Sequence, residues 1–175
     1  MRSFFPLLVT ALLLCAGPAL AQISVLGNPY ARACYMEASV DGSNDDACDR
    51  SLQTEMLGQR DRAATFVNRA VVRTNAGRLA AALQDLKRAE SLRPDLGEIY
   101  ASRGNIFFYQ SSFEEALAEH DRGIAAGMKK LYAAHYNRGL ALEQLGRIEE
   151  AKDAYRQSIA LAPEFALAKA RLSMF

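Results

Sequence analysis

Apolar and polar positions recur along this chain with the period of amphipathic helices, and the helices themselves recur in pairs. In one stretch Tyr100, Arg103, Gly104 and Phe107 fall at i, i+3, i+4 and i+7, the stripe that one helix presents to a neighbour. After Gln110-Ser111-Ser112 the same spacing returns at Ala116, Leu117, His120, Gly123 and Ile124. The two stripes predict a helical hairpin with a turn at 110–112.

That hairpin is one of three. Arg69, Arg103 and Arg138 stand 34 and 35 residues apart, each followed by a small residue, Ala70, Gly104 or Gly139. In the second helices Ala82, Ala116 and Ala151 repeat, with the bulkier Leu86, His120 and Tyr155 four residues on. Small positions facing large ones let two helices approach closely and interlock. Gly77 and Gly146 occupy the turns of the first and third hairpins, where positive φ can end a helix. Pro94 and Pro163 close those hairpins.

A helical hairpin repeated at this period resembles the tetratricopeptide (TPR) repeat. The resemblance implies an all-α fold, a right-handed superhelix of antiparallel helix hairpins with a C-terminal capping helix. The repeats are placed at 63–96, 97–131 and 132–163, and residues 164–175 look like a lone first helix serving as the cap. Arg73 stands where the other units have Phe107 and Leu142, Met128 stands where they have proline, and an extra residue lies near 128–131. These departures bear on the local superhelical angle.

Ahead of the repeats, 22–62 is read as a degenerate hairpin. Cys48-Asp49-Arg50-Ser51-Leu52 parallels His120-Asp121-Arg122-Gly123-Ile124, and Ser43 and Asn44 are candidate N-caps of a short helix. Asp45 and Asp46 suit the positive end of that helix. Residues 1–21 read as an export signal: Arg2, the apolar run 4–14, and Ala19-Leu20-Ala21 before Gln22 fit cleavage after Ala21. A competing reading is lipid attachment at Cys15, which Leu14 directly before it disfavours. The expected location is periplasmic or secreted, with membrane contact only through the export signal.

Charge narrows the partners. The chain carries 21 basic and 20 acidic residues, and loss of Arg2 with the signal would leave 20 of each. A balance near zero gives no basic stripe for nucleic acid or a membrane surface. Cys34 and Cys48, fourteen apart, are the cysteine pair left in the processed chain, and in an oxidising compartment a disulfide is the economical reading. A metal site would lack further ligands nearby, and a redox couple would want Cys-x-x-Cys.

Candidate chemistry is sparse. The sequence has no Gly-x-Ser-x-Gly, no Gly-Lys-Ser or Gly-Lys-Thr phosphate loop and no His-Glu-x-x-His, so no catalytic residue, metal site or cofactor is assigned. His120 and His135 lie near Glu119 and Asp121, but the repeat alignment puts both at packing positions. Arg69, Arg103 and Arg138 offer planar donor forks, yet they share the packing face, so their stems are expected along the hairpin with their heads on an acidic group or water.

In the resemblance, first helices line a concave wall that receives an extended peptide or a helix. Projected here, the partner-binding groove comprises Asn68, Ser102, Asn105, Phe108, Tyr109, Tyr136, Asn137, Glu143 and Gln144, apolar groups mixed with amides able to pair with a bound backbone. Repeats that clamp a terminal carboxylate use Lys, Asn and Arg at set places, and Val67, Val71, Ser102, Ala133 and Asn137 do not supply the cations. The expectation is a noncatalytic protein-interaction module or adaptor of the cell envelope with a protein or peptide partner. The alternative is a homo-oligomeric structural protein stacking through its terminal helices, with Leu167, Leu172, Met174 and Phe175 as the apolar surface.

Overall fold

The computed structural model describes Ile23 and residues 28–175. The assigned export signal, its cleavage point and Cys15 lie outside the described residues. Among the described residues there are nine helices and no strand: α1 (Pro29–Ser39), α2 (Asp46–Thr54), α3 (Gln59–Asn75), α4 (Leu79–Leu92), α5 (Gly97–Tyr109), α6 (Phe113–Ala125), α7 (Leu131–Gln144), α8 (Ile148–Leu161) and α9 (Ala166–Leu172). They pair as α1/α2, α3/α4, α5/α6 and α7/α8, each pair packing on the next, with α9 against α8. No described helix is long and apolar enough to cross a membrane.

The turns follow from backbone chemistry. At the end of α3, Gly77 takes φ 73° while its N–H donates to Thr74 O and that of Arg78 to Arg73 O. Two reversed bonds of this kind satisfy carbonyls that the helix would leave orphaned. Gly146 repeats the arrangement after α7 and Gly127 after α6. In the second hairpin a serine does the same work: Ser111 holds φ 61°, and the N–H of Ser112 still reaches Phe107 O. The short helix α2 begins one residue later than expected, with Asp45 as N-cap and Asn44 Oδ1 accepting the Asp46 N–H at 2.9 Å.

Packing between paired helices uses the small-against-large register. A Cβ added to Gly104 would stand 2.6 Å from His120 Cε1, and one added to Gly139 would stand 2.5 Å from Tyr155 Cε1. Neither ring can withdraw, because both side chains are fully buried. The first hairpin meets the same constraint with Ala70 and the slimmer Leu86, both in its core.

The N-terminal hairpin is closed on itself by a covalent bridge and joined to α3 by charge. Cys34 of α1 and Cys48 of α2 are bridged, their Cα atoms 4.7 Å apart, and they pack with Ala38, Val71 and Val72. At the other end, Phe165 leads into α9 and sets its ring edge-on to Tyr132 and Tyr136. Ala168 and Leu172 then join the α7/α8 core.

His120 gives the fold a measurable pH response. Neither ring nitrogen has a hydrogen-bond partner among the described residues, and burial pushes its pKa down to about 3. The unfolded chain binds this proton near pH 6.5, so stability is fully present above that pH and lost as the pH falls toward 3. The His120 share should be about 2 kcal/mol between pH 6.5 and 5, at roughly 1.4 kcal/mol per pH unit. His120→Leu, the residue type of Leu86, should flatten the slope of unfolding free energy against pH. Parallel curves for the two proteins would exclude this role.

Candidate functional site

The recurrent arginines are structural ties, and each finds a different acid. Arg69 sets Nε and Nη2 on the two oxygens of Asp85 at 2.8 and 2.6 Å and reaches Asp49 of α2 with Nη1. Arg103 joins Glu119 on its own hairpin to Glu90 on the preceding one. Arg138 reaches back to Asp121 at 2.7 Å. The pairing holds Glu90 below the usual carboxylate range, chiefly through the Arg103 hydrogen bond.

The same contacts dissolve the cluster around the histidines. Glu119 faces Arg103 and Arg122, Asp121 faces Arg138, and His120 turns into the core against Gly104. His135 is half-buried, and burial followed by the Arg138 charge lowers its pKa. Among the described residues no group of three His, Cys, Asp or Glu side chains is placed to hold a metal ion.

The residues projected onto the inner wall separate into three kinds. Asn68, Ser102, Asn105 and Asn137 are buried, and Asn137 Nδ2 donates to Asn105 Oδ1 across the α5/α7 boundary at 2.9 Å. Tyr109 is 49% exposed and Gln144 is exposed, while Phe108 is half-buried with its ring edge-on to Phe113. Burial, then the nearby Asp41 charge, raises the Tyr109 phenol pKa.

Tyr136 and Glu143 differ from the expectation of a ligand-facing wall. Tyr136 is fully buried, packed on Tyr155 and Phe165, so its ring belongs to the junction with the C-terminal cap. Glu143 accepts the Tyr155 hydroxyl at 2.7 Å and Arg171 Nη1 at 3.1 Å, tying α7 to α8 and α9. The cause is the capping helix, whose Phe165 and Arg171 close over this end of the wall.

Asn68 shows what the wall amides can do. Its Oδ1 accepts the Ile23 N–H at 2.8 Å and its Nδ2 donates to the Ile23 carbonyl at 2.6 Å. One side-chain amide thus satisfies both backbone groups of a single residue. The sequence marked Asn68 as an amide suited to a backbone, but nothing local pointed to Ile23, 45 positions away.

Stacked antiparallel helical hairpins define a helical-repeat fold. The chain matches the tetratricopeptide repeat family model over residues 132–165. Its fold is similar to that of MamA, with TM-score 0.64 and 20% identity over 86% of this chain and 84% of that one. It is also similar to the Arabidopsis OM64 TPR domain, at 0.61 and 22% over 67% and 98%. A third likeness is to the first TPR of Spaghetti (RPAP3) bound to the HSP90 peptide SRMEEVD, at 0.61 and 20% over 66% and 90%. At these identities the likeness is one of fold.

Proposed function

We propose that this protein is a noncatalytic adaptor of the bacterial cell envelope that receives an extended segment of a partner protein along the inner wall of its repeats. The pairing of Asn68 with both backbone groups of the chain's own Ile23 carries this reading, because it supports a side-chain amide placed to hold a peptide backbone. A similar fold, the first TPR of Spaghetti, is bound to an HSP90 peptide. The wall here favours backbone and apolar contacts over a terminal carboxylate, since the places of the clamping cations hold Val67, Val71, Ser102 and Ala133. Export with cleavage after Ala21 is part of the proposal, and the bridged cysteines suit an oxidising compartment.

The test uses a partner captured by cross-linking from an envelope fraction. Tyr109 is the exposed aromatic of the projected groove, so Tyr109→Ala should weaken binding by about 2 kcal/mol, roughly 30-fold, as an interface anchor does. Glu114→Ala, on a second helix, should bind as the parent does. Calorimetry giving the reverse order would move the working surface to the convex side.

The alternative reading is self-association through the C-terminal end, where Leu161, Leu167, Met174 and Phe175 are exposed. Light scattering decides between them: a concentration-independent monomer excludes the stacked form.

A further inference from the structure

We infer that Asn68 and the apolar surface of α3 beside it form a recognition site for one branched aliphatic residue in an extended segment, and that Ile23 fills this site in cis. The inference rests on the proposed peptide-binding role and names both the chemistry the wall reads and its resident competitor. A partner segment then binds by displacing the chain's own residue.

Two independent contacts define the site. The first reads the backbone. In an extended chain the N–H and C=O of one residue point to the same side, as in a hydrogen-bonded pair of an antiparallel ladder. Asn68 Oδ1 and Nδ2 meet such a pair at 2.8 and 2.6 Å and so select extended geometry whatever the side chain. The second contact reads the side chain. Ile23 is 4% exposed and belongs to the apolar cluster containing Ala64, Val67, Leu96 and Ile99. Small Ala64 leaves room, and the aliphatic neighbours offer a charged or amide side chain no partner.

The site has an occupant and also an approach. Asn68 is fully buried with Ile23 over its amide, so departure of Ile23 gives up both of these bonds. An incoming segment with the same geometry restores both bonds, making the exchange nearly balanced in hydrogen bonds. Ile23 also borders an open pocket of about 170 Å³ lined by Arg60, Asp95, Leu96, Glu98 and Lys129. Both signs of charge surround this opening, so it leaves selection to the aliphatic socket and the amide.

The experiment measures fluorescence anisotropy of a labelled peptide with the sequence of residues 22–26, Gln-Ile-Ser-Val-Leu, added to the full chain. Ile23→Asp removes the resident side chain and should bind the peptide at least tenfold more tightly than the parent. Adding Asn68→Ala should abolish that gain, and a peptide with Asp in place of Ile should not bind. Equal affinity of parent and Ile23→Asp, or a gain that survives Asn68→Ala, would overturn the inference. Circular dichroism accompanies each variant. If Ile23→Asp loses helix content, recovery of that content on adding the peptide supports the site, and failure to recover it shows that Ile23 is a structural rivet only. These outcomes are separate from the Tyr109 test, which can succeed with a captured partner even where this peptide fails.

Discussion

Asp85→Ala is expected to destabilise the protein by about 3–5 kcal/mol, because it takes the fully buried counter-charge away from Arg69 and Arg73. Asp85 has a fully buried side chain on α4 and receives the fork of Arg69 together with Arg73 Nη1 at 2.8 Å. The carboxylates that would remain, Asp45 and Asp49, belong to the N-terminal hairpin, and Asp49 is partly solvated. Losing Asp85 therefore also weakens the link that carries charge from α4 through α3 to α2. Urea titration at neutral pH gives the value. Arg147→Ala, which breaks the exposed pair with Glu150, should unfold at the same urea concentration as the parent. An Asp85→Ala cost no greater than that of Arg147→Ala would mean that water reaches the arginines and that the network contributes no more than a surface pair.

Removing the disulfide comes next in size. With Cys34 and Cys48 separated by 14 positions, replacing both with alanine should cost about 3 kcal/mol in the loop-closure model. The location of the loss is more informative than its total. The N-terminal hairpin has a repeat neighbour on one side only, so it should open before the rest. Hydrogen exchange should show lost protection in α1 and α2, while α5 to α8 keep theirs. Uniform loss through all four hairpins would show that the N-terminal unit and the repeats fold as a single cooperative block, and unchanged protection would show that charge pairing alone secures α1 and α2.

The His120 result illustrates how far repeat alignment reaches. Equivalence with Leu86 and Tyr155 placed this residue in the core from spacing alone, and it lies there against Gly104. Alignment also placed the stems of the arginines correctly. It places Asp85 and Glu119 at the same step, each sixteen positions after its arginine, but the third unit has Ala154 there, so Arg138 turns back to Asp121, and Glu90, the second partner of Arg103, lies on a preceding hairpin. The choice depends on the distance between helices across a turn, which no single helix encodes.

Tyr136 marks where projection of a helix face stops being enough. Its equivalents, Val67 and Ala101, are small aliphatic residues that pack in the clusters of their own and the neighbouring hairpin, whereas the tyrosine ring reaches Phe165 ahead of the capping helix. A face computed from one helix contains no information about a later segment folding over it. Glu143 was captured by the same cap through Arg171.

Features that repeat or are local were legible along the chain: the hairpin period, the small-against-large register, the turns at Gly77 and Gly146, the pairing of Cys34 with Cys48 and the capping helix. Each depends on residues within a few turns of one another, or on spacing that recurs and so confirms itself. Packing between distant segments settled that Arg138 meets Asp121, that Tyr136 and Glu143 serve the C-terminal junction, and that Asn68 holds the backbone of Ile23. Those contacts join segments of unlike register, and a backbone group carries no side-chain identity for a sequence pattern to display; its partner is settled when the chain has folded and the amide has nowhere else to bond.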